Sequence, residues 1–92
     1  MRHIYKYEIG FDDTVITLPV GAKIRHAGTQ YGQSYLWAEE VTDSTAARKE
    51  DRVFRIFATG EEIPALNWSR WEWCATWQYA EFVWHLFEKV KV

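Results

Sequence analysis

Trp71-Glu72-Trp73-Cys74-Ala75-Thr76-Trp77-Gln78-Tyr79 is the stretch on which the fold turns, because it satisfies two periods at once. With period 2, Trp71, Trp73, Ala75, Trp77 and Tyr79 share one face and Glu72, Cys74, Thr76 and Gln78 the other, the pattern of a half-buried strand. With the helical period, Trp73, Trp77, Ala80, Trp84 and Phe87 form an apolar stripe, and after Pro64 there is no Gly or Pro to interrupt a helix. Periodicity leaves both open. The residue types favour strands, since Trp, Tyr, Thr, Phe and Val suit a pleated surface, so the expectation is a β-hairpin bending near Ala80-Glu81.

Upstream, the punctuation is that of short strands. Residues 4–9 alternate, with Tyr5, Tyr7 and Ile9 on one face and Lys6 and Glu8 on the other, and Gly10-Phe11-Asp12-Asp13 reads as a turn. Thr14 to Leu18 is a short β-branched run, with Ile16 and Leu18 on one side, that stops at Pro19. Ala22 to Thr29 is a third strand, polar enough for an edge or a ligand-facing position, with Ile24 and His26 assigned to one face and Lys23 and Arg25 to the other. Gln30-Tyr31-Gly32-Gln33 is the best hairpin turn, because Gly32 accepts φ > 0 at no steric cost. Ser34 to Val41 and Arg52 to Thr59 read as strands four and five. Between them, residues 44–50 read as a surface loop with at most a short helical turn, capped by Asp43 or Ser44. The fold class is therefore mostly β, one domain over 1–92, a small antiparallel β-sandwich or barrel of about seven strands.

A chain of 92 residues buries roughly 60 to 65% of the surface its unfolded form exposes. Six Trp, five Tyr and five Phe are more rings than so small a core encloses, so some belong on a surface that meets a ligand, a partner or a second copy. The net charge of −2, from 11 basic and 13 acidic residues mixed along the chain, gives no polybasic footprint and disfavours nucleic acid. A single cysteine, Cys74, rules out an internal disulfide and suits a reducing compartment such as the cytoplasm. Neither a signal pattern nor an apolar run of membrane-spanning length is present, so no membrane role is expected.

Chemistry-bearing motifs are sparse. His3, His26, His85 and Cys74 lack the close C-x-x-C or H-x-x-x-H partners of a zinc site, so no metal and no cofactor is expected. Cys74 reads as a sheltered thiol, His85 as a hydrogen-bonded strand histidine, and the pairs Asp12-Asp13, Glu39-Glu40 and Glu61-Glu62 as solvated charge. No phosphate loop or nucleophile elbow occurs, so the expectation is a protein without catalytic residues. The informative set is basic and aromatic: Arg25, Gln30, Tyr31, Trp37 and Arg55, which together could line a pocket for a small anionic, nucleotide-like ligand through guanidinium forks and ring stacking. The bland alternative makes Trp37 core and pairs the arginines with Glu39, Glu40 or Asp51. Trp71, Trp73 and Trp77 are either core or the interface of a homo-oligomer.

Ile4-Tyr5-Lys6-Tyr7, Leu18-Pro19-x-Gly21-Ala22-Lys23-Ile24, Leu36-Trp37-Ala38, Phe54-Arg55-Ile56, Thr59-Gly60, Ile63-Pro64 and His85-Leu86-Phe87-Glu88 together resemble a family of small uncharacterised phage and prophage proteins. The resemblance runs nearly end to end and its motifs are structural punctuation. It implies a phage accessory protein without an assigned activity; small phage proteins of this kind often antagonise host defence, so the expectation is a binding protein of the host cytoplasm that sequesters a nucleotide-like signal or blocks a host defence protein. The alternatives are a virion or morphogenesis component docking through its aromatic face, and a small barrel that stacks single-stranded nucleic acid.

Overall fold

The computed structural model describes residues 1–41 and 48–92. Seven strands appear in chain order: β1 (Arg2–Glu8), β2 (Thr14–Pro19), β3 (Lys23–Gln30), β4 (Gln33–Val41), β5 (Lys49–Ala58), β6 (Ser69–Tyr79) and β7 (Phe82–Lys91). They form a three-stranded sheet, order β1-β4-β3, and a four-stranded sheet, order β2-β5-β7-β6, with every pairing antiparallel. The architecture is the expected β-sandwich, and the barrel alternative falls because the two sheets do not join into one hydrogen-bonded ring. Of the helical turn expected near 44–50, residues 44–47 lie outside the described ones, and Lys49 and Glu50 already belong to β5. No described segment is a helix long and apolar enough to cross a membrane.

The double-period stretch is a strand. β6 and β7 pair along their whole length around the two-residue turn Ala80-Glu81, where Ala80 takes a left-handed φ of 56°. The hairpin between β3 and β4 turns on Tyr31 and Gly32, both at positive φ (53° and 79°), as a tight turn matching strand twist requires. Pro19 ends β2, which is an edge strand, so its missing N–H removes no interior ladder bond.

The core lies between the sheets. Leu36, Ala38 and Ala27 from the smaller sheet meet Ile16, Leu18, Phe54, Ile56, Trp77 and Leu86 from the larger, with Ile9 and Ala22 closing it from the connections. The closest approach is β3 against β6, where Trp77 Nε1 donates to Thr29 Oγ1 at 2.9 Å across the gap. β1 contributes little: only Tyr7 among its residues is even half-buried. The Cα radius of gyration of 13.8 Å exceeds the roughly 12 Å of a compact chain this long, in keeping with that overhang. Even so, Tyr7 donates its phenol hydrogen to the Glu40 carboxylate, which is buried at 6% exposure.

Two β-bulges re-aim side chains that strict alternation misplaces. The register of β3 shifts between Ile24 and His26, so Ile24 faces inward opposite Ala38 while His26 faces outward opposite Trp37, correcting the shared face expected for the two. The register of β6 shifts between Trp73 and Ala75. Trp71 and Trp73 therefore point to the outer side and Trp77 to the core, so the single tryptophan face expected over 71–79 is divided in two.

β5 and β6 both run antiparallel to β7, hence parallel to each other, and residues 59–68 must travel back across the sheet to join them. This strap lies over the outer face, where Ile63 joins Phe57, His85 and Phe87 around one hollow. Phe57 points outward yet is only 1% exposed, packed edge-on against Trp71 and Phe87 at 5.4 Å each.

Candidate functional site

The outer face of the smaller sheet collects most of the basic-aromatic set. Because directly paired residues point the same way, Lys6, Trp37 and His26 form one row across β1, β4 and β3, with Tyr35 and Gly28 in the next row. Trp37 is the centre: His26 lies 5.3 Å from it and Tyr35 6.2 Å, ring centroid to centroid. Lys6 Nζ sits 4.5 Å over the Tyr35 ring and donates to Gln30 Oε1 at 3.1 Å. Gly28 is what lets these rings lie low over the backbone. A Cβ there would stand 3.2 Å from His26 Nε2 and 3.9 Å from Trp37 Cζ3.

The electrostatics of this face differ from those of the chain. Among the described residues, Arg2, Lys6, Lys23 and Arg25 on this face meet only Glu8 and Glu39, a local excess of two positive charges on a molecule of net charge −2. Glu39 bridges two of the cations, accepting from Arg25 Nε and from Arg2 Nη1 at 2.8 Å each. The Arg25 hydrogen bond, with the nearby guanidinium charges, holds the Glu39 carboxyl below its ordinary range against a smaller effect of desolvation. The pairing of Arg25 with Glu39 is the bland alternative realised, but Arg25 is still 46% exposed and keeps donors for another acceptor.

Of the five residues expected to bind ligand, Arg25, Gln30 and Trp37 share this face. Tyr31 stands at the tip of the adjoining turn, its side chain fully in solvent. Arg55 is elsewhere, on the outer side of the larger sheet, where it donates to Phe11 O at 3.1 Å, pairs with Glu61 at 3.2 Å and lies over Phe57. Its role there is to fasten the turn after β1. Lys6, His26 and Tyr35 join the face without having been singled out in the sequence. The outward direction of Lys6 was readable from alternation, whereas His26 is brought round by the bulge.

The tryptophans expected at an interface separate. Trp77 is core. Trp71 is half-buried against Phe57, and its Nε1 is the one buried side-chain polar atom among the described residues without a hydrogen-bond partner. Trp73 is 59% exposed, and Trp68, on the strap, 82%. The indole of Trp73 is nevertheless held. Its Nε1 donates to Thr76 Oγ1 at 2.8 Å, Thr76 meets His85 Nδ1 at 3.0 Å, and His85 Nε2 meets Thr59 Oγ1 at 2.7 Å. Thr59 gives its own hydrogen to Val83 O, which can only accept, so a neutral His85 in this chain donates from Nε2 and accepts from Thr76 at Nδ1. Cys74, at the bulge, is sheltered, and burial pushes its thiol up to about 11, with the Glu88 carboxylate adding to the shift.

Among the described residues no group of three or more His, Cys, Asp and Glu side chains is placed to hold a metal ion. The model of the family described as Domain of unknown function (DUF7352) matches residues 1–92, and the chain belongs to that family. No curated protein and no solved structure matches it.

Proposed function

We propose that this member of the DUF7352 family is a non-enzymatic binding protein that takes an anionic, ring-bearing ligand of the nucleotide class on the outer face of β1-β4-β3. The observation that carries this reading is the coincidence of the Trp37, His26 and Tyr35 rings with a local excess of positive charge on an otherwise acidic chain. A base would stack on the ring row, and its phosphate would meet Arg25, Arg2 and Lys6, through a guanidinium fork where Arg25 supplies one. The likeness to small phage proteins supports a place for this activity in the host cytoplasm, where sequestering a nucleotide signal would blunt a defence response.

Calorimetric titration with cyclic mononucleotides and dinucleotides, alongside mass spectrometry of small molecules carried through native purification, tests the reading. Saturable heat that disappears in Trp37→Ala and Arg25→Gln is the expected result. Absence of both heat and carried ligand would remove the nucleotide reading and leave a protein target. The exposed and fixed Trp73, with Trp68 beside it in chain order on the strap, favours a second reading in which the larger sheet docks a protein or another copy. Light scattering of the native chain and of Trp73→Ala separates the two, since only docking between copies makes mass depend on that indole.

A further inference from the structure

At one end of the sandwich the turn after β1, the β3–β4 turn and the β6–β7 turn converge on a cavity of about 340 Å³. Its walls are Phe11, Tyr79 and Trp84, and its polar groups are the side chains of Thr29, Gln33 and Ser34. Phe11 and Trp84 meet edge to face at 5.2 Å. We infer that this cavity is a second binding site, separate from the outer face of the smaller sheet, that takes an uncharged purine-type ring.

The volume is that of a small-molecule pocket, and apolar ring walls with a few convergent polar groups are how such pockets fix orientation. None of the nine residues lining it carries a charge. A phosphate buried there would lose its hydration without gaining a partner, so what enters is neutral and any charged portion of the ligand remains outside. The polar groups have capacity to spare. Thr29 Oγ1 accepts from Trp77 Nε1 and keeps its own hydrogen to give. The Gln33 amide makes only long contacts, 3.4 Å to Ile9 O and 3.5 Å to Ser34 O, and can turn to pair with a base edge. A glutamine amide satisfies adenine at two adjacent atoms, one donor and one acceptor.

The walls are fixed before any ligand arrives. Ile9 N donates to Ser34 O and Ile56 N to Gly10 O, both at 3.0 Å, and Arg55 Nε holds Phe11 O. The two non-glycine residues at positive φ among the described ones, Tyr31 and Ala80, occupy two of the three turns at this end. Such conformations are costly for residues with a Cβ and gather where function asks for them. In these turns they directly flank Gly32 and Tyr79, which line the cavity.

Proton–nitrogen correlation spectra of the full chain, titrated with adenosine, test the inference. The Trp84 indole and the Gly32 and Ser34 amides should shift saturably. Tyr79→Ala, at a position already 46% exposed, should weaken binding about five- to a hundredfold through loss of stacking, and Gln33→Leu should weaken it without loss of fold. Arg25→Gln should leave it unchanged. Adenosine monophosphate should bind this site no more weakly than adenosine, and a tighter oligoadenylate would assign the source to a polymer. Pocket resonances unmoved at the solubility limit of adenosine would overturn the proposal, as would binding indifferent to Tyr79→Ala and Gln33→Leu.

Discussion

Removing the guanidinium of Arg52 should cost this fold about 3 kcal/mol, the low end for orphaning one member of a buried ion pair. Arg52 Nε and Nη2 donate to the two oxygens of Glu88 at 2.7 and 2.8 Å, and Nη1 donates to Ala22 O at 2.6 Å. The pair thus ties β5 to β7 and both to the connection entering β3. Both side chains are largely sheltered, at 15% and 14% exposure, and the Glu88 hydrogen bond, outweighing desolvation, raises the guanidinium's affinity for its proton. In Arg52→Met the methylenes stay packed, but Glu88 loses two charge-assisted bonds and Ala22 O its donor. The residual exposure of both groups lets water soften the loss. For a domain of this size each kcal/mol moves Tm by roughly 4 to 8 °C, so the variant should melt about 12 to 24 °C lower. A double-mutant cycle with Glu88→Leu, read by urea unfolding, isolates the pair, because the double variant buries no orphaned charge and should regain part of the loss. A single-variant cost below about 1 kcal/mol, or strict additivity in the cycle, would refute the reasoning.

Tyr7→Phe should lose about 1 to 3 kcal/mol near neutral pH, because Glu40 stays buried without its hydroxyl donor. Burial, then the bond to Glu40, pushes the Tyr7 phenol from 10.0 up to about 12. Its contribution is thus complete below pH 10 and fades as pH rises toward 12, and urea midpoints across that range should fall less steeply in the variant than in the parent chain. Burial moves the Cys74 thiol from 9.0 to about 11, so alkylation by iodoacetamide at pH 8 should run about a hundredfold slower in the folded chain than in urea. Equal rates would show the bulge to be open. Trp77→Ala should cost about 3 to 5 kcal/mol in thermal or urea melts through the cavity it leaves and the lost bond to Thr29. Trp73→Ala, on the exposed side, should fold with a loss near 1 kcal/mol, and a larger loss would place that indole in the core.

The strands were legible because turn chemistry and alternation agreed over most of the chain. Ile16 with Leu18, and Tyr5 with Tyr7, face inward as their spacing required. What sequence could not show were the bulges, since one inserted residue leaves no compositional mark and reverses every side chain beyond it. Trp71 and Trp77 look equivalent in the sequence because both faces of β6 carry tryptophan, Trp77 in the core between the sheets and Trp71 packed on Phe57 outside. The surplus of rings was readable, and seven of the sixteen, among them Tyr31, Trp68 and Trp73, are exposed. Their grouping was not, because the Lys6, Trp37 and His26 row depends on pairing between β1, β4 and β3. Arg55 and Arg25 were indistinguishable as arginines in strands, and only topology sends them to different sheets.

The order of strands in the larger sheet sets a schedule for folding. β7 is the last of the seven strands to be made yet lies inside its sheet, with β5 on one side and β6 on the other. A nascent chain that has produced β2 and β5 therefore holds a two-stranded ribbon whose open edge waits for residues not yet made. The β6–β7 hairpin closes locally within microseconds, but the sheet is finished only when that hairpin docks and draws the strap across. Until then the edge of β5 is a template for any other extended chain, so a ribosome stalled before residue 82 would release an aggregation-prone species.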